Sequence, residues 1–257
     1  MTGAAELKQM TPRTAGNERT GFLKTLALIF MVIDHAAILF FKNDLSLRTV
    51  GRIAFPLYAW CMAVGMSYTG SPLRYALRLA VMAAVTQVPY VFVMGHGWLE
   101  LNVLATLLLG QLAIWGIREH RYGSAVWAPL MCLAVTLFVK VDYDWRGVLF
   151  IILLYLARGS RQSLIAVMIA YCLFWGEGTM QVDEFFGIDL SWLKGAWAPY
   201  AFNMFRHLLR VQALAIAALP FMLLPVGFKG RMPRWLGYLV YPGHMLLLGL
   251  IKLLIGA

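Results

Sequence analysis

Hydrophobic residues run along this chain in long blocks separated by short polar clusters. They show neither the strict alternation of a half-buried strand nor a narrow amphipathic stripe. The blocks fall at residues 22–41, 49–68, 74–94, 100–117, 125–140, 147–157, 162–176, 208–228 and 234–254. A helix that crosses the hydrocarbon core needs about 20 apolar residues. The pattern therefore predicts an all-α, polytopic transmembrane helix bundle of about nine spans, the sixth and seventh of them short. Pro56, Pro89, Pro220, Pro225 and Pro242 lie inside blocks, where neighbouring groups or water re-satisfy the freed carbonyls and the helices bend. The chain carries no internal repeat of the kind that builds two-fold transporters.

The polar clusters give an orientation. Lys8, Arg13, Arg19 and Lys24 precede or open the first block. Arg74 with Arg78, Arg118 with Arg121, Arg158 with Arg161, and Lys229 with Arg231 and Arg234 mark every second loop. The intervening loops hold Lys42 with Asp44, Glu100, Asp142 and Asp144 with Lys140 and Arg146, and an acidic stretch from 177 to 206. Basic loops face the cytoplasm, which predicts a cytoplasmic N-terminus. Residues 1–20 are polar and lack an apolar signal region or a cleavage site, so the first span reads as an uncleaved anchor. Residues 21–257 read as a single membrane domain. Within the acidic stretch, the run SWLKGAWAPY is expected on the membrane interface through Trp192 and Trp197.

Composition sharpens this picture. Of 257 residues, 61% are hydrophobic and 13% charged, and the mean hydropathy of +0.72 excludes an ordinary soluble domain. Membrane lipids are thus an expected partner. The net charge of +10 does not indicate nucleic acid, because the basic residues sit in short loops where topology accounts for them. Cys61, Cys132 and Cys172 stand singly in apolar runs, which points to neither a disulfide framework nor a zinc site. No metal site is expected: His35, His207 and His244 lack helical ligand spacing such as HExxH.

The candidate chemistry lies in polar residues out of keeping with their blocks. In IFMVIDHAAILFF, residues 29–41, Asp34 and His35 are adjacent within an apolar helix. A charge at mid-bilayer costs about 2.5–3.5 kcal/mol on insertion scales, so such groups face the bundle interior and mark sites or ion paths. Adjacent helical positions point about 100° apart, so Asp34 is expected to pair with an arginine and His35 to face a cavity. Arg48 and Arg52, four apart, are the arginines available at that depth, and a buried structural Asp34–Arg52 pair is the alternative to a functional one. Gln87, Asn102, Thr106, Tyr143, Asp144, Trp145, Arg146, Tyr200, Asn203, Arg206, His207, Tyr241 and His244 are expected near the same outer half. His244 reads equally well as packing. No Walker A, dinucleotide or GxSxG motif is present.

Taken in order, these residues also resemble a family. MVIDH at 31–35, Arg48, GRIAFP at 51–56, Gly65, Tyr68, Thr69, Arg74, Tyr75, Arg78, QVP at 87–89, LNV at 101–103, Thr106 and the YPGH ending at His244 resemble the TraX family. The likeness is weaker from 120 to 205. The family is named for a conjugation protein that N-acetylates pilin, and it is similar to multispan acyltransferases drawing on cytoplasmic acetyl-CoA. The resemblance implies an acyltransferase-like domain in a bacterial inner membrane, with a pilin or other extracytoplasmic amine or hydroxyl as acceptor. Under that reading His35 is the general base or a transient acyl carrier, with Asp34 and His244 also in the catalytic group. Arg52, Asn102 or Tyr241 stabilises an oxyanion, and Arg48, Gln87, Thr106, Tyr143, Asp144 and Trp145 bind the acceptor. Arg74, Arg78, Arg118, Arg121 and Arg158 hold the acetyl-CoA phosphates. The rival readings are a proton-coupled transporter using Asp34 and His35, and a non-catalytic pilus-assembly protein.

Overall fold

The computed structural model describes residues 14–190, 207–227 and 234–255, with backbone only for 234–238. The expected interfacial residues Trp192 and Trp197, the site residues Tyr200, Asn203 and Arg206, and the basic Lys8, Arg13, Lys229 and Arg231 lie outside the described residues, as does the side chain of Arg234. The apolar blocks fold as helices: α1 (Thr20–Phe40), α2 (Leu45–Gly51), α3 (Ala54–Tyr68), α4 (Pro72–Met94), α5 (Val103–Glu119), α6 (Ser124–Phe138), α7 (Asp144–Ala157), α8 (Arg161–Gly176), α9 (Leu219–Leu223) and α10 (Arg234–Ile255). Two-residue strands β1 (Glu100–Leu101) and β2 (Lys140–Val141) pair in parallel. Strands β3 (Glu184–Phe185) and β4 (Ile188–Asp189) form a small antiparallel pair.

Among the described residues, three helical stretches are long and apolar enough to cross a membrane: Thr20–Phe40, Pro72–Met94 and Arg121–Phe138. The protein is an all-α membrane protein. At about 1.5 Å per residue, α7 is near 21 Å long and cannot cross a 30 Å core alone. It lies instead in the centre with α3, whose 15 residues include 12 that are buried, the all-round burial of an interior helix. Gly110 lets α5 approach α7: a Cβ there would sit 2.6 Å from Ile151 Cδ1.

Two expected spans are corrected. The block 49–68 is broken at Arg52–Ile53 into α2 and α3. Pro56 has no N–H to give to the carbonyl of Arg52, so one rung of the ladder is missing there. In the block 208–228 the described residues hold no helix of spanning length; they fold as a 3₁₀ turn, Ala213–Ala218, followed by the five-residue α9. Leu224 is extended and precedes Pro225, which disfavours the helical conformation of the residue before it.

The polar tail also ends earlier than residue 20. Ala15 N–H donates to the Arg158 carbonyl at 2.7 Å and Asn17 N–H to that of Met222 at 2.6 Å. Trp60 Nε1 donates to the Asn17 carbonyl at 2.8 Å. Residues 14–19 therefore close one end of the bundle. At that same end Arg118 Nη1 donates to the carbonyls of Met66 and Thr69. The opposite end holds the α1–α2 turn, the β1–β2 pair and the start of α7.

Candidate functional site

The site is built where α1 nears its C-terminal end. Lys42 and Asn43 adopt left-handed backbone angles, and Asp44 then caps α2 by accepting from Leu47 N–H at 2.9 Å. This tight reversal folds α2 back along α1. Gly51 makes the approach possible: a Cβ at that position would lie 2.4 Å from Asp34 Cβ. Gly51→Ala is expected to displace Asp34 and lower thermal stability by about 1–3 kcal/mol, the usual cost of overpacking. An unchanged melting temperature of the purified variant would reject this close contact.

The approach sets both arginines on one carboxylate. Arg52 Nη2 donates to Asp34 Oδ1 and Oδ2 at 3.0 and 3.1 Å. Arg48 Nε lies 3.0 Å from Oδ1 as an ion pair without a hydrogen-bond angle. Arg48 Nη1 also donates to Asn43 Oδ1 at 2.5 Å. Arg52 Nη1 donates to the Tyr143 hydroxyl at 3.3 Å. Tyr143 is held at φ 68 and Asp144 at φ 49, left-handed angles that a bulky side chain rarely adopts and that cluster at functional sites. Tyr143 stacks on Phe55 with ring centroids 4.3 Å apart.

His35, one residue on, faces the other way. Its Nδ1 is 2.8 Å from His244 Nε2, and the rings stack at 5.0 Å and 8°. His244 Nδ1 is 3.0 Å from the Val240 carbonyl. A carbonyl only accepts, so His244 carries its proton on Nδ1 and accepts at Nε2 from His35 Nδ1–H. The lone pair of His35 is thereby assigned to Nε2.

A cavity of about 400 Å³ joins these groups, lined by Asp34, His35, Arg48, Arg52, Tyr143 and Tyr241 among the expected residues. It is also lined by Tyr58, Tyr90, His96 and Asp142, which sequence reasoning missed. His96 faces Glu100 at 2.9 Å, and Glu100 pairs with Lys140 at 2.5 Å. Asp142 is pinned by its N–H to the Leu101 carbonyl at 2.9 Å and by Thr106 Oγ1, which donates to its carbonyl. Burial pushes its carboxyl up to about 6 against the pull of Arg52.

Other expected residues lie elsewhere. Asn102 caps α5 through Leu104 N–H and gives its amide to the Ala83 carbonyl and Gln87 Oε1, while Gln87 Nε2 donates to the Glu100 carbonyl. Asn102, Gln87 and Thr106 thus brace the cavity wall from behind and are not among the residues that line it. Asp144 is exposed and opens α7, so Asp142 stands in the cavity where Asp144 was expected. Trp145 packs on Phe174 and under Arg146, away from the cavity. His207 pairs with Glu177 on the surface. Arg74, Arg78 and Arg121 are exposed, and Arg118 and Arg158 half-buried, all toward the opposite end of the bundle. Among the described residues no three His, Cys, Asp or Glu groups gather as metal ligands.

A family model described as TraX protein matches residues 19–252. A protein TraX of Escherichia coli is 30% identical over 155 residues, covering 58% of this chain and 62% of that protein. An uncharacterized protein of Rickettsia prowazekii is 26% identical over 147 residues, 55% of this chain and 57% of its own. A probable fimbrial assembly protein of Dichelobacter nodosus is 28% identical over 137 residues, 48% of this chain and 55% of its own. The matched region thus spans little more than half the length of these relatives. No solved structure matches the chain.

Proposed function

The chain belongs to the TraX family, and on that premise we propose that it is a membrane acetyltransferase carrying an acetyl group from cytoplasmic acetyl-CoA to an extracytoplasmic acceptor. The observation that carries the reading is His35. It is a neutral imidazole whose Nδ1–H is engaged by His244 and whose Nε2, without a hydrogen-bond partner among the described residues, belongs to a side chain lining a polar cavity. A general base needs such a lone pair within reach of the acceptor.

Acetyl-CoA, when bound, supplies a thioester carbonyl and a thiol leaving group. Arg74, Arg78 and Arg121, exposed at the end opposite the cavity, suit its phosphates by charge-assisted contacts. Arg118 fits less well, because its Nη1 already serves two carbonyls; Arg158 has a buried Nε without a hydrogen-bond partner among the described residues. His35 takes a proton from the acceptor at Nε2, and the freed lone pair attacks the carbonyl carbon. As the new bond forms and the C–S bond breaks, His35 returns the proton to the departing sulfur. Arg52, with Tyr241 across the cavity, is suited to stabilise the oxygen that turns negative. His35 lies about 8 Å from the C-terminal end of α1, so a donor held at the basic end would have to reach most of the way along the bundle. The relative named for fimbrial assembly and the TraX proteins support a pilus or fimbrial subunit as acceptor.

The test is thiol release from acetyl-CoA by the purified protein with an acceptor peptide bearing a free N-terminus. Release that depends on both components is expected; none above the protein-free blank, with the protein folded, would sink the reading. For the inner-membrane orientation with N-terminus inside, a cysteine replacing Arg121 should resist an impermeant reagent in intact cells while one replacing Asp189 labels. Reversed labelling would invert the donor and acceptor sides.

A further inference from the structure

We infer that Asp142 and the tyrosine rings lining the cavity with it form a subsite for a cationic head group, a primary ammonium, which selects amine over hydroxyl acceptors. The inference rests on the acceptor reading above and adds the residue that makes the choice.

The cavity contains two guanidiniums and two carboxylates, and they are not evenly matched. Asp34 takes both Arg48 and Arg52, whereas Asp142 makes no ion pair among the described residues. The charges that act on it are Arg52, Asp34 and His96. Arg52 is already turned to Asp34 and Tyr143, and His96 to Glu100. The Asp142 side is therefore the negative end of the cavity. Its backbone is held at both the N–H and the carbonyl of Asp142, which fixes the point from which the carboxylate projects.

The walls add to this. Tyr58, Tyr90 and Tyr241 line the same cavity, and their hydroxyls make no hydrogen bond among the described residues. Aromatic faces attract cations, and phenolic oxygens accept from N–H. An ammonium offers three donors, one for the carboxylate and others for hydroxyls. A neutral hydroxyl has one donor and no charge to repay the desolvation of Asp142. A hard metal ion would require six or more oxygen ligands, and among the described residues the cavity offers no second carboxylate without an ion pair. The ammonium releases one proton to water to become the amine, and the amine passes a second to His35 Nε2 as it attacks, the proton that leaves with the thiol.

The experiment uses the full chain in lipid nanodiscs without acetyl-CoA, with propylammonium chloride as probe and 1-propanol as its neutral counterpart, read by ligand-dependent thermal shift. Propylammonium should bind and 1-propanol should not. Asp142→Asn should weaken propylammonium binding about tenfold or more, as loss of a desolvated charge partner does, and Asp142→Glu should retain part of it. Equal binding of the two probes by the wild-type protein would overturn the subsite, as would undiminished ammonium binding by Asp142→Asn. Should Asp142→Asn not fold, the wild-type comparison and Asp142→Glu still decide. Because no acyl donor is present, failure here is separate from failure of acetyl transfer.

Discussion

His35→Ala is expected to keep its monodisperse profile and its acetyl-CoA binding while losing acetyl transfer by about 10²–10⁴-fold, the usual contribution of a general acid–base group. The variant removes a cavity-lining nitrogen whose lone pair is assigned by its neighbours. His35→Gln should be about as inactive, since it restores hydrogen bonding without basicity. The partner histidine gives a graded control. In His244→Gln an amide can still accept from His35 Nδ1 and donate to the Val240 carbonyl, so activity should be largely kept. His244→Ala leaves His35 free to change tautomer, and its rate should fall by roughly tenfold with a shifted pH profile. Near wild-type turnover in His35→Gln would end the role of His35 as base, and equal loss in both His244 variants would reduce His244 to packing.

The second large effect is on stability. Asp34→Asn should cost about 3–5 kcal/mol, because removing one partner of a buried pair leaves an uncompensated charge. Here two guanidiniums would be left facing a neutral amide. Arg52→Gln alone should cost less, since Arg48 still neutralises Asp34. The double variant Asp34→Asn with Arg52→Gln should be less damaged than the sum of the singles, with a coupling of about 1–3 kcal/mol for groups in one network. Thermal unfolding of the four proteins in the same nanodisc measures this; strictly additive losses would show that the ion pair contributes no coupling. The two experiments are independent, because the first reads rate in folded protein and the second reads folding itself.

Together they separate the readings the sequence left open. A purely structural Asp34 cluster predicts the stability losses and no special rate loss at His35. A proton relay predicts that Asp34→Asn and His35→Gln fail in the same assay of proton movement. An acetyltransferase predicts that thiol release collapses at His35 while the bundle stays intact.

The sequence by itself determined that most apolar blocks are helices, that the polar residues fall into two sets of loops, and that the Asp34 and His35 side chains diverge. These follow from local rules: the apolar block length sets a helix, and adjacent helical residues must diverge by about 100°. Tertiary structure decided what no periodicity carries. The break between α2 and α3 lets Arg48 and Arg52 reach one carboxylate, and Gly51 lets the helices close enough to do so. The parallel pairing of β1 with β2 turns Asp142 into the cavity and leaves Asp144 on the surface. Residues two apart look alike to a sequence pattern, and only the left-handed turn at Tyr143 tells them apart. Asn102, Gln87 and Thr106 were recognisable as buried polar groups, but whether such a group faces a ligand or satisfies a neighbouring backbone depends on which donors and acceptors the fold brings beside it. The meeting of His35 with His244 across 209 positions belongs to the same class, because a tautomer is fixed by partners and not by the chain that carries the ring.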